Sequence, residues 1–356
     1  MFSTFQAAEF PFSFQRLADK RLGKAEKRIL YRMEYVRKGA SDMNSEQVYK
    51  RKRAARKRQL IESIPLYIML ILPIAYYIIF AYLPMSGLVI AFKDYSLWKG
   101  ILESPWAQNA GFEHFLTFLT DDYFWGVFKN TFILGFTNTI VNFTAPIILA
   151  LFINELRPSK YKKLTQTITY LPYFVSTVAL VGIIISMLSP STGIINSVIK
   201  ALGGTPINFM VESKFFVAIY VFTNLWKGLG WGTIIYLASM SNVNPELYEA
   251  ADIEGAGRFC KMWHITLPEI KPTIAILLIM SMPGIIGADF ETILLLQRPQ
   301  TMDVADVVAT YSYRRGLLGS EFDFGTAMGL FFSLVNILII FGSNQISKKL
   351  TDVSIW

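Results

Sequence analysis

Six apolar stretches dominate this chain. They lie at residues 63–83, 128–153, 166–188, 215–237, 272–294 and 325–346. Each reaches or passes the ~18 to 20 residues that a helix needs to cross the hydrocarbon core of a bilayer. In lipid, every backbone N–H and C=O needs a partner within the protein, so segments of this kind fold as helices. Composition agrees: only 17% of the 356 residues are charged, against about 25% in a soluble domain, and mean hydropathy is +0.40. The expected fold class is an all-α polytopic membrane protein with six transmembrane helices.

The net charge of +8 is unevenly placed. Residues 1–60 hold 16 Lys and Arg against 6 Asp and Glu, and the rest of the chain holds 18 against 20. The run "YKRKRAARKRQ" (Tyr49 to Gln59) directly precedes the first apolar stretch. Such a run can bind nucleic acid. Beside a membrane span it reads instead as a cytoplasmic anchor against anionic lipid, with no nucleic-acid partner. The tail is too long and polar to be an ordinary cleaved signal peptide. The expected organisation is a basic tail over 1–60 and a transmembrane domain over 61–356.

Short loops set the orientation. Arg157, Lys160, Lys162 and Lys163 fall between the second and third stretches. Arg258, Lys261 and Lys271 fall between the fourth and fifth, and Lys348 and Lys349 follow the sixth. The positive-inside rule places both termini and these loops in the cytoplasm. Residues 84–127, 189–214 and 295–324 fall on the opposite face, where Arg298, Arg314 and Arg315 run against the bias. Trp98, Trp106, Tyr123, Phe124 and Trp125 in the first of these segments suit a membrane interface or a partner surface equally.

Several chemistries are excluded. Cys260 is the sole cysteine, and His114 and His264 are the only histidines, too few for a disulfide or a Cys/His zinc site. There is no G-x-x-x-x-G-K-[ST] phosphate loop: Gly23-Lys24 is followed by Ala25. No G-x-S-x-G elbow occurs either. No catalytic residue and no metal ligand is expected.

One polar segment interrupts the greasy pattern, "SNVNPELYEAADIEGAGRFCKMWHITLP" (Ser241 to Pro268). Asn244 can cap a helix, Pro245 suits its first position, and Glu246 favours the positive end of the dipole. Gly255 offers the exit turn. The expectation is a short capped helix with small Ala250 and Ala251, flanked by acidic Glu246, Glu249 and Asp252. Glu249-Ala250-Ala251, Gly255, Ile265 and Leu267-Pro268 place seven specified residues over twenty positions. This spacing resembles the EAA signature of permease subunits of binding-protein-dependent ABC importers. Glu254 stands where relatives often carry Asp, which keeps the charge. "LPMSGLVIAFKDY" (Leu83 to Tyr95) and "WKGLGWGTIIYLASM" (Trp226 to Met240) are similar to the permeases that import oligosaccharides or polysaccharide fragments, the LplB-like group. The resemblance covers roughly residues 60–356.

The resemblance implies a type I importer permease in a bacterial cell membrane, with a coupling loop at about 239–271 that docks on a cytoplasmic ATPase. It implies a second homologous permease subunit, two ATPase subunits, an extracytoplasmic solute-binding protein and an oligosaccharide cargo. ATP and Mg would be bound by the ATPase, with no cofactor in this chain. A different cargo such as a peptide stays open, because the coupling signature does not encode the substrate. A secondary transporter would not need that signature, and a membrane enzyme would need a polar catalytic cluster that the chain lacks.

Polar residues inside the spans mark a path or helix packing. Tyr220, Asn224, Lys227 and Trp231 share one helical face. Aromatic faces stack on sugar C–H surfaces while amides and charges bind hydroxyls, so this set is expected to line a substrate path. Lys227 is expected to face water or an acid such as Asp289, which lies with Glu291 near the outer part of the fifth stretch. Gly325, Gly329, Ser333 and Asn336 align in the sixth, of which Ser333 and Asn336 join the expected path. Thr131, Gly135, Asn138 and Asn142 in the second read as packing.

Overall fold

The computed structural model describes residues 45–156 and 159–351. Most of the expected basic tail and Arg157 lie outside the described residues. The chain divides into two compact units, Met1–Pro84 and Met85–Trp356. Among the described residues the regular secondary structure is helical, apart from one isolated antiparallel bridge between Lys93 and Trp106.

The first unit contributes helix α1, Ser45–Tyr77, with Pro65 and Pro73 inside it. The helical run continues through Phe92, and the most apolar window of Glu62–Phe92 has no buried residue. Leu66, Leu72 and Phe80 stay exposed, as side chains that face lipid should.

The second unit is built on α2 (Asp122–Asn154), α3 (Ser159–Tyr170), α4 (Thr177–Met187), α5 (Ser213–Ser241), α6 (Pro245–Ile253), α7 (Lys271–Ser281), α8 (Phe290–Leu296), α9 (Val308–Ser312) and α10 (Phe322–Thr351). Glycines set the closest approaches. A Cβ on Gly135 of α2 would lie 2.1 Å from the Ile285 carbonyl oxygen, and one on Gly230 of α5 equally close to that of Thr169. Gly316 and Gly325 meet back to back, so Gly325 is a packing residue, whereas Gly329 faces open space. Small residues let helix backbones approach where lipid gives no hydrophobic drive.

Two expected spans are not continuous helices. The stretch 166–188 breaks after Phe174, and its two helical parts meet at 101°. Pro172 opens a single tight turn, and Ser176 then caps α4 by accepting from the Ala179 amide. The stretch 272–294 breaks between Ile285 and Phe290, where Pro283, Gly284 and Gly287 give the chain few reasons to stay helical. A further bend of 63° separates Arg258–Glu269 from the α7 helix. Among the described residues three helices are long and apolar enough to cross a membrane, or up to five if each bent pair is one span. The α5 helix has the length, at 29 residues, but Asn224, Lys227 and its glycines dilute its apolar character.

Three clusters form the core. Ala91, Phe118, Phe124 and Met328 pack at the end carrying residues 86–121. Leu134, Tyr220, Ile293 and Val307 fill the middle. Ala150, Tyr236, Met240 and Ile270 close the end nearest α6. The Asp306 carboxylate, 1% exposed, ties the 302–314 segment to α2. It takes two bonds from the Arg314 guanidinium, at 2.6 and 3.1 Å, and one each from the Tyr123 and Thr310 hydroxyls. Hydrogen bonding to this carboxylate holds the Arg314 pKa above its usual value. Removing the guanidinium leaves a buried charge with two neutral donors. Arg314→Met is therefore expected to cost about 2–3 kcal/mol, read as a lower melting temperature in detergent, with part of the loss restored by Asp306→Asn.

Candidate functional site: a coupling hairpin and a polar face of α5

The α6 helix begins where Asn244 accepts from the Glu246 amide at 3.1 Å, with Pro245 at its first position. It ends in a turn that needs positive φ. Gly255 sits at φ +75°, its amide bonds the Asp252 carbonyl, and the Ala256 amide bonds that of Ala251. The chain then doubles back through Arg258–Glu269. Lys261 pairs with Asp252 at 2.6 Å, and the Tyr248 and Thr266 hydroxyls meet at 2.9 Å. The signature residues thus fall into two groups. Glu249 and Ala250 are exposed on α6 and Ala251 is half-buried. Ile265 and Leu267 are half-buried and Pro268 is exposed, where the returning helical arm of the hairpin enters the bend before α7. Ile253, Phe259 and Trp263 are exposed apolar side chains on the same hairpin, an arrangement that suits a protein surface rather than bulk water. The lysine of the Asp252–Lys261 pair is largely sheltered, so Lys261→Ala is expected to loosen the hairpin by ~0.5–1 kcal/mol. The check is faster proteolysis at the 254–258 turn with no change in membrane level.

The stripe on α5 resolves into two parts. Tyr220, expected to face a path, is fully buried. Its hydroxyl accepts from the Asp289 amide at 2.9 Å, which makes it a support for the break before α8 rather than a stacking surface. The Asp289 carboxylate accepts from the Thr292 hydroxyl, which also lies 3.4 Å from Asn224 Oδ1. Asn224 Nδ2 is buried and has no hydrogen-bond partner. Tyr220, Asn224 and Asp289 are therefore one cluster, and Glu291 is exposed beside it on α8.

One turn further along α5 the neighbours change. Lys227 Nζ donates to Thr177 Oγ1 at 2.6 Å, so its partner is a neutral hydroxyl and not the expected Asp289. The Asp289 carboxylate is instead taken up by the Thr292 hydroxyl beside Asn224, while the bend before α4 carries Thr177 to Lys227. Trp231 stacks on Tyr173 with ring centres 4.3 Å apart and planes at 3°, and Phe174 stands edge-on at 6.4 Å. Trp231 keeps 46% of its surface exposed, so part of the ring is open. Tyr173, Thr177 and Thr292 were missed by sequence reading. The proline at 172 was the available signal, since a broken span exposes aromatic and hydroxyl groups that a straight helix would bury.

Ser333 and Asn336 stand apart. Ser333 bonds its own helix at the Gly329 carbonyl, and Asn336 Oδ1 is buried without a partner. Among the described residues no hydrogen bond joins either to the α5 stripe. In α2, Thr131 accepts from the Val308 amide and Gly135 lies against the Ile285 carbonyl, so these two pack as expected, while Asn142 bonds Asn138 within the helix.

This hairpin and this polar face occur in a chain with known relatives. Residues 143–352 match the family described as "Binding-protein-dependent transport system inner membrane component". The chain is similar to Protein LplB of Bacillus subtilis, at 42% identity over 80% of this chain and 88% of that one. It is also similar to the polygalacturonan/rhamnogalacturonan transport system permease protein YteP of the same species, at 40% identity over 86% and 95%. Among solved structures it resembles a chain of a bacterial ABC transporter involved in the import of the acidic polysaccharide alginate. That match has a TM-score of 0.76 and 39% identity, over 83% of this chain and 99% of that one. Apolar helices, length and sequence agree: the chain belongs to the binding-protein-dependent transport system inner membrane components and is an ABC permease of the bacterial membrane.

Proposed function

We propose that this chain is one of two homologous permease subunits of an importer for an oligosaccharide or polysaccharide fragment. It crosses the membrane six times, two of the crossings being the broken stretches, with both termini in the cytoplasm. A solute-binding protein delivers cargo on the outer side. Two ATPase subunits, which bind ATP and Mg, receive the α6 hairpin on the inner side. The observation that carries the sugar reading is the similarity to YteP and to the alginate importer over nearly the full length of each. The open stacked pair of Trp231 and Tyr173 beside Lys227 supports it, because sugars combine an apolar C–H face with hydroxyl edges.

The hairpin reading rests on shape. A capped helix with small side chains, returned by a tight turn, is a compact rigid lever, and Glu249 on its exposed side suits a basic residue of the ATPase. The test is cross-linking. With Cys260→Ser as background, a single cysteine at position 249 is expected to cross-link to the ATPase in membranes holding the complete importer. It should not do so when the ATPase is left out. Cross-linking to the solute-binding protein instead would reverse the topology and end this assignment.

A further inference from the structure

We infer that the cargo is an acidic oligosaccharide and that Lys227 binds its carboxylate, an inference that rests on the sugar-import reading above. The half-buried ammonium of Lys227 has no carboxylate within ion-pair distance among the described residues. Its partner, Thr177, is the first residue of α4, an eleven-residue helix. Helix N-termini carry partial positive charge and stabilise anions, while a cation there is disfavoured. Two positive features thus converge within a low-dielectric region where an unpaired charge is costly. With no anion present the arrangement opposes itself, and with a carboxylate between them both features become favourable.

The neighbours suit a uronate. Lys227 and Trp231 are four residues apart on α5, a spacing that brings Cβ atoms to about 5–6 Å. A pyranose lying on the open part of the Trp231 ring places the carboxylate at its edge within reach of the ammonium. Asp289 and Glu291 do not pair with Lys227. The Asp289 carboxylate is taken up by the Thr292 hydroxyl beside Asn224, about one turn along α5 from Lys227, and Glu291 is exposed on α8.

The experiment uses proteoliposomes holding the complete importer. The probes are short oligomers of galacturonate and of mannuronate, each as free acid and as methyl ester, which keeps the skeleton and removes the charge. The same binding protein serves every arm, so a change caused by substitution reports on this chain. Wild type is expected to take up at least one free acid. Lys227→Met should lower the ratio of acid to ester uptake about tenfold, the worth of a charged hydrogen bond. Lys227→Arg should restore most of it, which separates lost charge from lost packing. An unchanged ratio in Lys227→Met, or a wild type that prefers the esters, overturns the inference and leaves sugar import standing. Uptake of no oligosaccharide at all by wild type overturns both.

Discussion

Gly230→Ala is expected to destabilise this permease strongly, although it adds a single methyl group. The position lies inside α5, where a Cβ would fall 2.1 Å from the Thr169 carbonyl oxygen, 2.3 Å from its carbon and 2.8 Å from the Tyr170 nitrogen. All three are backbone atoms, so no side-chain rotation relieves the clash. The α5 helix must move away from α3 and carry Lys227 and Trp231 away from Thr177 and Tyr173. Overpacking of this kind costs about 3 kcal/mol, which corresponds to a fall in melting temperature of roughly 5–10 °C. Gly126→Ala in α2 is the control, since a Cβ there meets nothing within 4 Å. It should be neutral or slightly stabilising, because alanine favours helix over glycine. Equal melting temperatures for the two variants would show that α5 and α3 do not pack as described.

Gly255→Val should disconnect ATP hydrolysis from transport while leaving the chain in the membrane. The φ of +75° is open to glycine and strained for other residues, and a β-branched side chain there costs about 1–3 kcal/mol. Steric contact is not the cause, because the space around this position is empty. Relief of the strain unwinds the turn, and the bonds from Asp252 to Lys261 and from Tyr248 to Thr266 lose their register. Uptake by the complete importer is expected to fall at least tenfold, with ATP hydrolysis no longer stimulated by the loaded binding protein. Gly255→Asn should retain most of the activity, since asparagine tolerates positive φ. If the valine and asparagine variants behave alike, the backbone angle is not what matters.

The α6 hairpin was readable from sequence because everything that shapes it is local. Asn244, Pro245 and Gly255 act on their own neighbours, and their spacing fixes where the helix begins and ends. The long apolar helices Glu62–Phe92, Asp122–Asn154 and Phe322–Lys349 were readable for a related reason, since bilayer thickness sets a length that an apolar run either meets or does not. The breaks at 175–176 and 286–289 were hidden inside such runs. Hydropathy does not distinguish a bent apolar segment from a straight one, and the prolines at 172 and 283 were compatible with either. Partners suffered most from those breaks. Periodicity places Tyr220, Asn224, Lys227 and Trp231 on one face, but a face has no intrinsic direction. Tyr220 turns out to be buried and Trp231 open because α8 covers one end of the stripe and the bend before α4 leaves the other uncovered. Thr177 reaches Lys227 across 50 residues of sequence, a contact that no local rule anticipates.

ATP-driven uptake by the reconstituted importer tests the account most directly. Proteoliposomes should hold this chain, its partner permease and the ATPase, with binding protein loaded with oligogalacturonate outside and ATP inside. Accumulation of sugar is expected only when all four proteins and ATP are present, and it should collapse with Gly255→Val. This chain alone should hydrolyse no ATP. Sugar entry through this chain without ATPase or ATP would contradict the account.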